Sequence, residues 1–167
     1  MGVNLWNAAN VALALGGAPG VVMVHGAFDV CHPGHLRLFR EAKRHGNILV
    51  VSVSPDEAVA ARKGTGHPVF RDILRADYVA ELGAVNFAFI AVGCDALHSI
   101  HHVRPAIHFR GYDYWTKYVK HVSDPSKYEG NLFREMDAVR TCGGETAFAA
   151  EPNLASSTFL AKSEGLL

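Results

Sequence analysis

The sequence predicts an α/β protein with a Rossmann-like, three-layer fold around a central parallel sheet of about five strands. Five short runs are rich in apolar, β-branched or aromatic residues, and each has the length of a strand. Helix-like stretches with apolar residues on one side lie between these runs. The runs are almost continuously apolar, which is typical of strands buried on both faces of a parallel sheet. Strands that alternate with helices therefore indicate one α/β domain.

The five predicted strands are spaced so that a helix fits between each neighbouring pair. They are VVMV, ILVVSV, FAFIAV, AIHF and ETAFAA, at residues 21–24, 48–53, 87–92, 106–109 and 145–150.

The first helix is predicted within an N-terminal helical extension, residues 1–20, and ends at Gly16-Gly17. This extension lacks the basic start of a signal peptide, and no apolar run in the sequence reaches transmembrane length. We therefore expect a cytoplasmic protein. Further helices are predicted in HLRLFREAKRHG, DILRADYVAELG, DALHSIHHV and LFREMDAVRTCGG.

Two stretches interrupt the alternation of strands and helices. Residues 61–71, ARKGTGHPVFR, contain Gly and Pro and are predicted to form a loop with basic residues. Residues 111–131 form a long stretch that is rich in aromatic and polar residues, and we expect a lid or substrate loop there.

Composition limits the class of protein. The 167 residues fit a single domain, 1–167. Hydrophobic residues make up 49% of the sequence and charged residues 19%, a composition that allows a sizeable core. The formal net charge of zero gives no general basic surface, so we expect no nucleic acid partner and no membrane partner. Three widely spaced cysteines, Cys31, Cys94 and Cys142, suggest a reducing compartment.

The stretch HGAFDVCHPGH follows the first predicted strand, where open parallel sheets bind their ligands. Gly26 permits a sharp turn or a close approach of the backbone to a ligand. Pro33 suits the first turn of a helix. The free N–H groups and the positive dipole end of that helix favour an anion, most often phosphate.

His32 and His35 are three residues apart, which places both on one side of the first helical turn. Each ring can donate a hydrogen bond to a phosphate oxygen and stabilise charge that grows in a transition state. Zinc sites on helices more often use residues four apart with a third ligand, and no third ligand is evident. We therefore predict no metal site formed by protein residues.

GAFDVCHPGH resembles the HxGH signature of the cytidylyltransferase-like nucleotidyltransferases. Other stretches resemble elements of the branch that contains glycerol-3-phosphate cytidylyltransferase and the heptose-phosphate adenylyltransferases. They are EAKRHGNILVVSVSPDEAVAARKGTGHPV, RPAIHFRGYDY and GGETAFAAEPNLASSTFL, and with the signature they extend over roughly residues 18–163.

The resemblance implies transfer of a nucleotidyl group from CTP or ATP to a phosphate monoester, with a sugar or polyol phosphate preferred. The acceptor oxygen would attack the α-phosphorus in line, and pyrophosphate would leave. Mg²⁺ would accompany the nucleoside triphosphate. Family members commonly form homodimers, and the resemblance implies one here.

The resemblance also implies residue roles, although Arg75 matches its family helix only in part. Catalytic roles fall on His32, His35 and Lys63. Nucleotide contacts fall on Gly26, Ala27, Phe28, Asp29, Lys43, Arg75, Arg110, Gly111, Asp113, Ser156, Ser157 and Thr158.

Several alternatives stay open at this point. Glu151 precedes the Ser/Thr-rich stretch in place of an arginine of the glycerol-phosphate enzymes, which weighs against that acceptor. Adenylylation of flavin mononucleotide, a phospholipid-headgroup acceptor and a non-catalytic nucleotide-binding module are the other possibilities. A redox dinucleotide-binding domain is disfavoured because the first turn lacks G-x-G-x-x-G. Residues of the 111–131 stretch could contact an unusual acceptor, namely Lys117, Lys120, His121 and Lys127.

Overall fold

The computed structural model describes residues 7–123 and 131–151, which form one sheet of five parallel strands with helices on both faces. The strands are β1 (Val21–Gly26), β2 (Ile48–Val53), β3 (Phe87–Ile90), β4 (Ile107–Arg110) and β5 (Glu145–Phe148). Their order across the sheet is β3-β2-β1-β4-β5. The predicted fold class is confirmed, and the predicted strands differ from these only at their ends.

Seven helices lie in the described part of the chain. They are α1 (Ala8–Leu15), α2 (Pro33–Lys43), α3 (Asp56–Lys63), α4 (Asp72–Ala80), α5 (Leu97–Val103), α6 (Tyr112–Ser123) and α7 (Leu132–Thr141). Helix α1 ends as predicted, because Gly16 adopts the left-handed conformation with φ of 53°. None of the helices in residues 7–123 and 131–151 is both long and apolar enough to cross a membrane.

The alternation of side chains along each strand divides the core into two layers. Val22, Val24 and Phe109 pack against α2 and α4, whereas Met23 and Phe89 pack against α1, α5 and α7. This arrangement explains why the predicted strands are apolar at nearly every position.

The direction of the chain across the sheet reverses at β1. From β1 the chain proceeds to β2 and β3 on one side, and then crosses to β4 and β5 on the other. A parallel sheet leaves a crevice at the carboxyl ends of the strands where such a reversal occurs. The end of β1 and the end of β4 border this crevice, and the turn that follows β1 leads to the HPGH stretch at the start of α2.

The structure differs from the sequence prediction in two segments. Residues 112–123 of the predicted 111–131 loop form helix α6, and residues 124–130 lie outside the described residues. The predicted loop at 61–71 begins inside α3, a helix that the sequence analysis missed. Helix α6 packs its aromatic residues on distant parts of the chain, for example Trp115 on Phe148, and local sequence patterns do not display such contacts.

Candidate active site

A cleft of about 650 Å³ opens above the carboxyl ends of β1 and β4. Its base is the turn from β1 into α2, one wall is the end of α3, and the opposite wall is the start of α6. It is lined by Val24, His25, Gly26, Ala27, Phe28, Asp29, His32, His35, Leu38, Arg62, Lys63, Gly111, Tyr112, Asp113, Tyr114, Thr116 and Lys117.

His32 and His35 are positioned by the hydrogen bonds that start helix α2. His32 is the N-cap, and its Nδ1 accepts a hydrogen bond from the Gly34 amide at 3.1 Å. His35 Nδ1 accepts from the His32 amide at 3.3 Å, which completes a capping box. The two rings stack with their centroids 3.9 Å apart. The local fold of the helix start therefore fixes the orientation of both rings.

These hydrogen bonds determine which ring nitrogen carries the proton. Because Nδ1 is the acceptor in both rings, each neutral imidazole carries its proton on Nε2. Burial, and then the charge of Lys63, lowers the pKa of His32. Burial, followed by His32 and Lys63, lowers the pKa of His35 to about 3. Both rings are therefore neutral near pH 7, and each carries an Nε2–H donor on a residue that lines the cleft.

Phe28 packs against the ring of His35. It is 5% exposed and meets the His35 ring edge to face, with ring centroids 5.4 Å apart. A Cβ atom on Gly26 would lie 2.9 Å from Cζ of the Phe28 ring. Glycine at position 26 is therefore required for the ring to reach its place under His35.

Asp29 connects the histidine-bearing turn to the loop between α3 and α4. Its buried carboxylate accepts hydrogen bonds from the amides of Val69 at 3.0 Å and Phe70 at 3.1 Å. Burial alone would raise the pKa of Asp29, but the Val69 and Phe70 amides, His67 and Lys63 together lower it. The carboxylate is thus an anion that anchors this loop.

Lys63 is the last residue of α3 and lines the cleft beside the two histidines. Burial lowers the pKa of its ammonium group, the negative charge of Asp29 opposes that shift, and the Arg62 and Arg75 charges add to it. Arg62, its exposed neighbour, lines the same wall. Two adjacent cationic side chains make this wall attractive to phosphate groups.

Arg75 lies outside the cleft, contrary to the sequence expectation of a nucleotide contact. It is 2% exposed and donates to the carbonyls of Phe70, at 2.8 Å, and Ala27. It also donates to Asp56 Oδ1 at 2.7 Å. The periodicity of α4 turns this side chain into the core, where all three donor groups are taken by protein oxygens. Arg75 therefore holds the β1–α2 turn from behind.

Lys43 lies away from the cleft, and Arg110 does not line it, although its guanidinium lies against the ring of Tyr114 in the cleft wall. Lys43 ends α2 and donates to the Asn47 carbonyl and to Asn86 Oδ1, at the amino ends of β2 and β3. Arg110 is 3% exposed and pairs with Glu135 of α7. Both departures arise from contacts between residues that are far apart in sequence. Ser156, Ser157 and Thr158 lie outside the described residues.

Two cleft residues, His25 and Tyr114, were not predicted from the sequence. His25 lies at the end of β1, and its Nδ1 and Nε2 are each 3.2 Å from a hydroxyl oxygen, of Ser52 and Ser54 respectively. Its position immediately before Gly26 was the signal for a site residue. Tyr114 was part of the RGYDY stretch, and its side chain joins Asp113 and Lys117 in the α6 wall.

Comparisons with known proteins identify the family of the chain. The sequence pattern of the cytidylyltransferase-like family matches residues 23–159. The chain is 34% identical over 115 residues to bifunctional protein HldE of Campylobacter jejuni, which covers 69% of this chain and 25% of that protein. It is 32% identical over 112 residues to bifunctional protein HldE of Gluconobacter oxydans, which covers 67% and 23% respectively. The chain spans about a quarter of the length of these curated relatives.

Solved structures share the fold. A lipopolysaccharide core biosynthesis protein from Thermoplasma volcanium aligns with a TM-score of 0.56 at 25% identity, over 77% of this chain and 92% of that one. A pantoate-beta-alanine ligase from Francisella tularensis aligns with a TM-score of 0.54 at 12% identity, over 91% of this chain and 67% of that one, and shows likeness of fold alone. On the match over residues 23–159, the chain belongs to the cytidylyltransferase-like family of nucleotidyltransferases.

Proposed function

We propose that this chain transfers a nucleotidyl group from CTP or ATP to the phosphate of a sugar or polyol phosphate. One oxygen of the acceptor phosphate attacks the α-phosphorus, and the bond from that phosphorus to the bridging oxygen breaks. Pyrophosphate leaves with the bonding electron pair. The resemblance to the heptose-phosphate branch and the likeness to a lipopolysaccharide core biosynthesis protein support a sugar phosphate as the acceptor.

The observation that carries this proposal is the pair of Nε2–H donors of His32 and His35 in one cleft. Nδ1 of each ring is occupied by a backbone amide, so each ring turns a single fixed donor towards a bound anion. Donors that are already oriented stabilise the charge growing on the α-phosphate without any reorganisation. The stacking of the two rings, with centroids 3.9 Å apart, supports the proposal that one phosphate group binds both donors.

The cationic groups of the cleft would bind the negatively charged triphosphate. Lys63, beside the histidines, would neutralise charge on the triphosphate, and Arg62 and Lys117 extend that attraction to the two walls. Mg²⁺ bound to the triphosphate would supply further charge neutralisation. Asp113 is the cleft carboxylate best suited to add an oxygen ligand, because Asp29 is committed to backbone amides.

The test measures pyrophosphate release with Mg²⁺. CTP, ATP, GTP and UTP are each paired with sugar, polyol, flavin and headgroup phosphates. Release with a sugar or polyol phosphate is the expected result. Release only with the flavin or headgroup phosphate would assign the acceptor to one of those classes instead. Tight nucleotide binding without release from any pair would indicate a non-catalytic nucleotide-binding module.

His32→Asn and His35→Asn separate the two roles of these residues. The asparagine amide oxygen can take the place of Nδ1 and keep the helix cap, but it removes the Nε2–H donor. Each variant is expected to keep its far-UV circular dichroism and to lose about 10²–10³-fold in kcat. Full activity in the double variant would refute the proposed role of the histidines.

A further inference from the structure

Arg110 is a buried cation that does not line the cleft. It is the last residue of β4 and is 3% exposed, and its guanidinium lies on the side of the sheet covered by α7. His25 and His108 lie within its electrostatic reach, and burial is the largest cause that lowers the pKa of each ring. Both histidines are therefore neutral and add no second positive charge beside Arg110.

Glu135 of α7 supplies the balancing negative charge. Its Oε2 lies 3.3 Å from Arg110 Nη1, an ion-pair contact in which neither atom has a hydrogen-bond partner among the described residues. Its Oε1 accepts a hydrogen bond from the Ala96 amide at 3.2 Å. Burial raises the pKa of Glu135, and the charge of Arg110 opposes that shift. Buried ion pairs seldom add stability over well-packed apolar residues of similar volume. A role in positioning neighbouring residues therefore explains this buried ion pair better than a gain in stability does.

The guanidinium of Arg110 also contacts the wall of the cleft. Its central carbon lies 3.6 Å from the centroid of the Tyr114 ring, which is close enough for a cation–π contact. Tyr114 lines the cleft together with Gly111, Asp113 and Lys117. Gly111 follows Arg110 directly in sequence, so Arg110 is joined to α6 both by the chain and by the ring contact. Arg110 thus links Glu135 of α7 to the α6 wall of the cleft.

We propose that Glu135 is a positioning residue for nucleotidyl transfer. It lies outside the cleft and acts by holding Arg110, which in turn holds Tyr114 and the start of α6 against the bound substrate. This inference rests on the proposed function for its kinetic consequences. Its structural consequence, the ordering of α6, does not depend on that function.

The experiment compares Glu135→Gln with a matched control on the same helix. Glu135→Gln keeps the size of the side chain and can keep the hydrogen bond to Ala96, but it removes the charge that holds Arg110. Asp137→Asn removes a carboxylate from the exposed face of α7, where Asp137 pairs with Arg140. Hydrogen exchange of residues 112–123 and the steady-state constants are measured for wild type and both variants.

The expected result is faster amide exchange across residues 112–123 and an increase of about tenfold or more in KM for one substrate, with a smaller change in kcat, in Glu135→Gln alone. Wild-type exchange and wild-type kinetic constants in Glu135→Gln would overturn the inference. If the wild-type chain releases no pyrophosphate, the proposed function fails, and the exchange data still decide whether Glu135 orders α6.

A second variant separates positioning from charge balance and protects the test if Glu135→Gln does not fold. In the double variant Arg110→Met, Glu135→Met both charges are replaced by apolar chains of similar length. If the pair serves only to balance buried charges, this variant recovers both wild-type KM and wild-type exchange of α6. If Glu135 positions α6, it folds but keeps the raised KM and the faster exchange, because methionine makes no cation–π contact with Tyr114.

Discussion

The lowered pKa of His25 predicts that the protein loses stability under mild acid. Both ring nitrogens lie 3.2 Å from serine hydroxyls, of Ser52 and Ser54. Burial, followed by the charges of Arg110 and Arg62, lowers the pKa of His25 from 6.5 to about 3. In the unfolded chain the same imidazole takes up a proton near pH 6.5. The unfolded state therefore binds more protons below pH 6.5, and the free energy of unfolding falls as the pH falls.

The magnitude follows from the two pKa values. At pH 5.5, one unit below the unfolded value, the lost stability is about 1.4 kcal/mol for His25, whereas at pH 7.5 it is close to zero. His35, whose pKa is also lowered to about 3, adds a similar amount. The wild-type protein should therefore lose about 3 kcal/mol between pH 7.5 and pH 5.5 from these two residues. The loss should continue as the pH falls towards 3.

Urea unfolding followed by circular dichroism at the two pH values measures this difference. His25→Gln has no group that titrates in this range, so its free energy of unfolding should fall by about 1.4 kcal/mol less than that of wild type. His101→Gln is the control, because His101 is exposed on α5, and it should behave like wild type. An equal fall in wild type and His25→Gln would show that His25 does not remain neutral in the folded protein, and the reasoning would be refuted.

Two further predictions concern the cleft and its support. Gly26→Ala places a Cβ atom 2.9 Å from the Phe28 ring, so the ring beneath His35 must move. The free energy of unfolding, measured with urea, should be about 1–3 kcal/mol lower than that of wild type. The rate of pyrophosphate release should fall about tenfold or more. Unchanged activity would mean that the Phe28 ring does not set the position of His35. Lys63→Ala should lower kcat about 10–100-fold because it removes a cation beside the histidines, whereas Lys43→Ala should leave kcat and KM unchanged. The opposite ranking of the two lysine variants in the pyrophosphate assay would contradict the assignment of Lys63 to the cleft.

The parts of the fold that sequence predicts well are those governed by local periodicity. Each strand is apolar at nearly every position, because both faces of the parallel sheet are covered. The HPGH stretch was equally readable, since Pro33 marks a helix start and histidines three apart share one side of it. These features depend on neighbours within a few residues.

The parts that sequence predicted poorly depend on contacts between distant residues. Helix α6 begins with the aromatic-rich stretch YDYWTKY, a weak helix former by itself, and Tyr114 and Trp115 pack on Arg110 and Phe148 in the folded chain. Lys43 carries a charge that looks available for phosphate until the fold brings Asn86 to it. Helix α3 is a different case, because Pro55, two acidic residues and a terminal glycine mark its bounds locally, and the loop prediction for residues 61–71 did not take these signals into account.

The histidine pair explains why fold and site can be read from the same short motif. The Nδ1 atoms of His32 and His35 accept hydrogen bonds from amides at the start of α2, and these bonds hold the rings in this orientation. That orientation leaves the Nε2–H groups as the donors available to a ligand. A different side chain could cap the helix, or a different side chain could donate to phosphate, but histidine at both positions does both at once. The direction of the donors is therefore set when the helix forms, before any substrate binds, which is the preorganisation that charge stabilisation in a transition state requires.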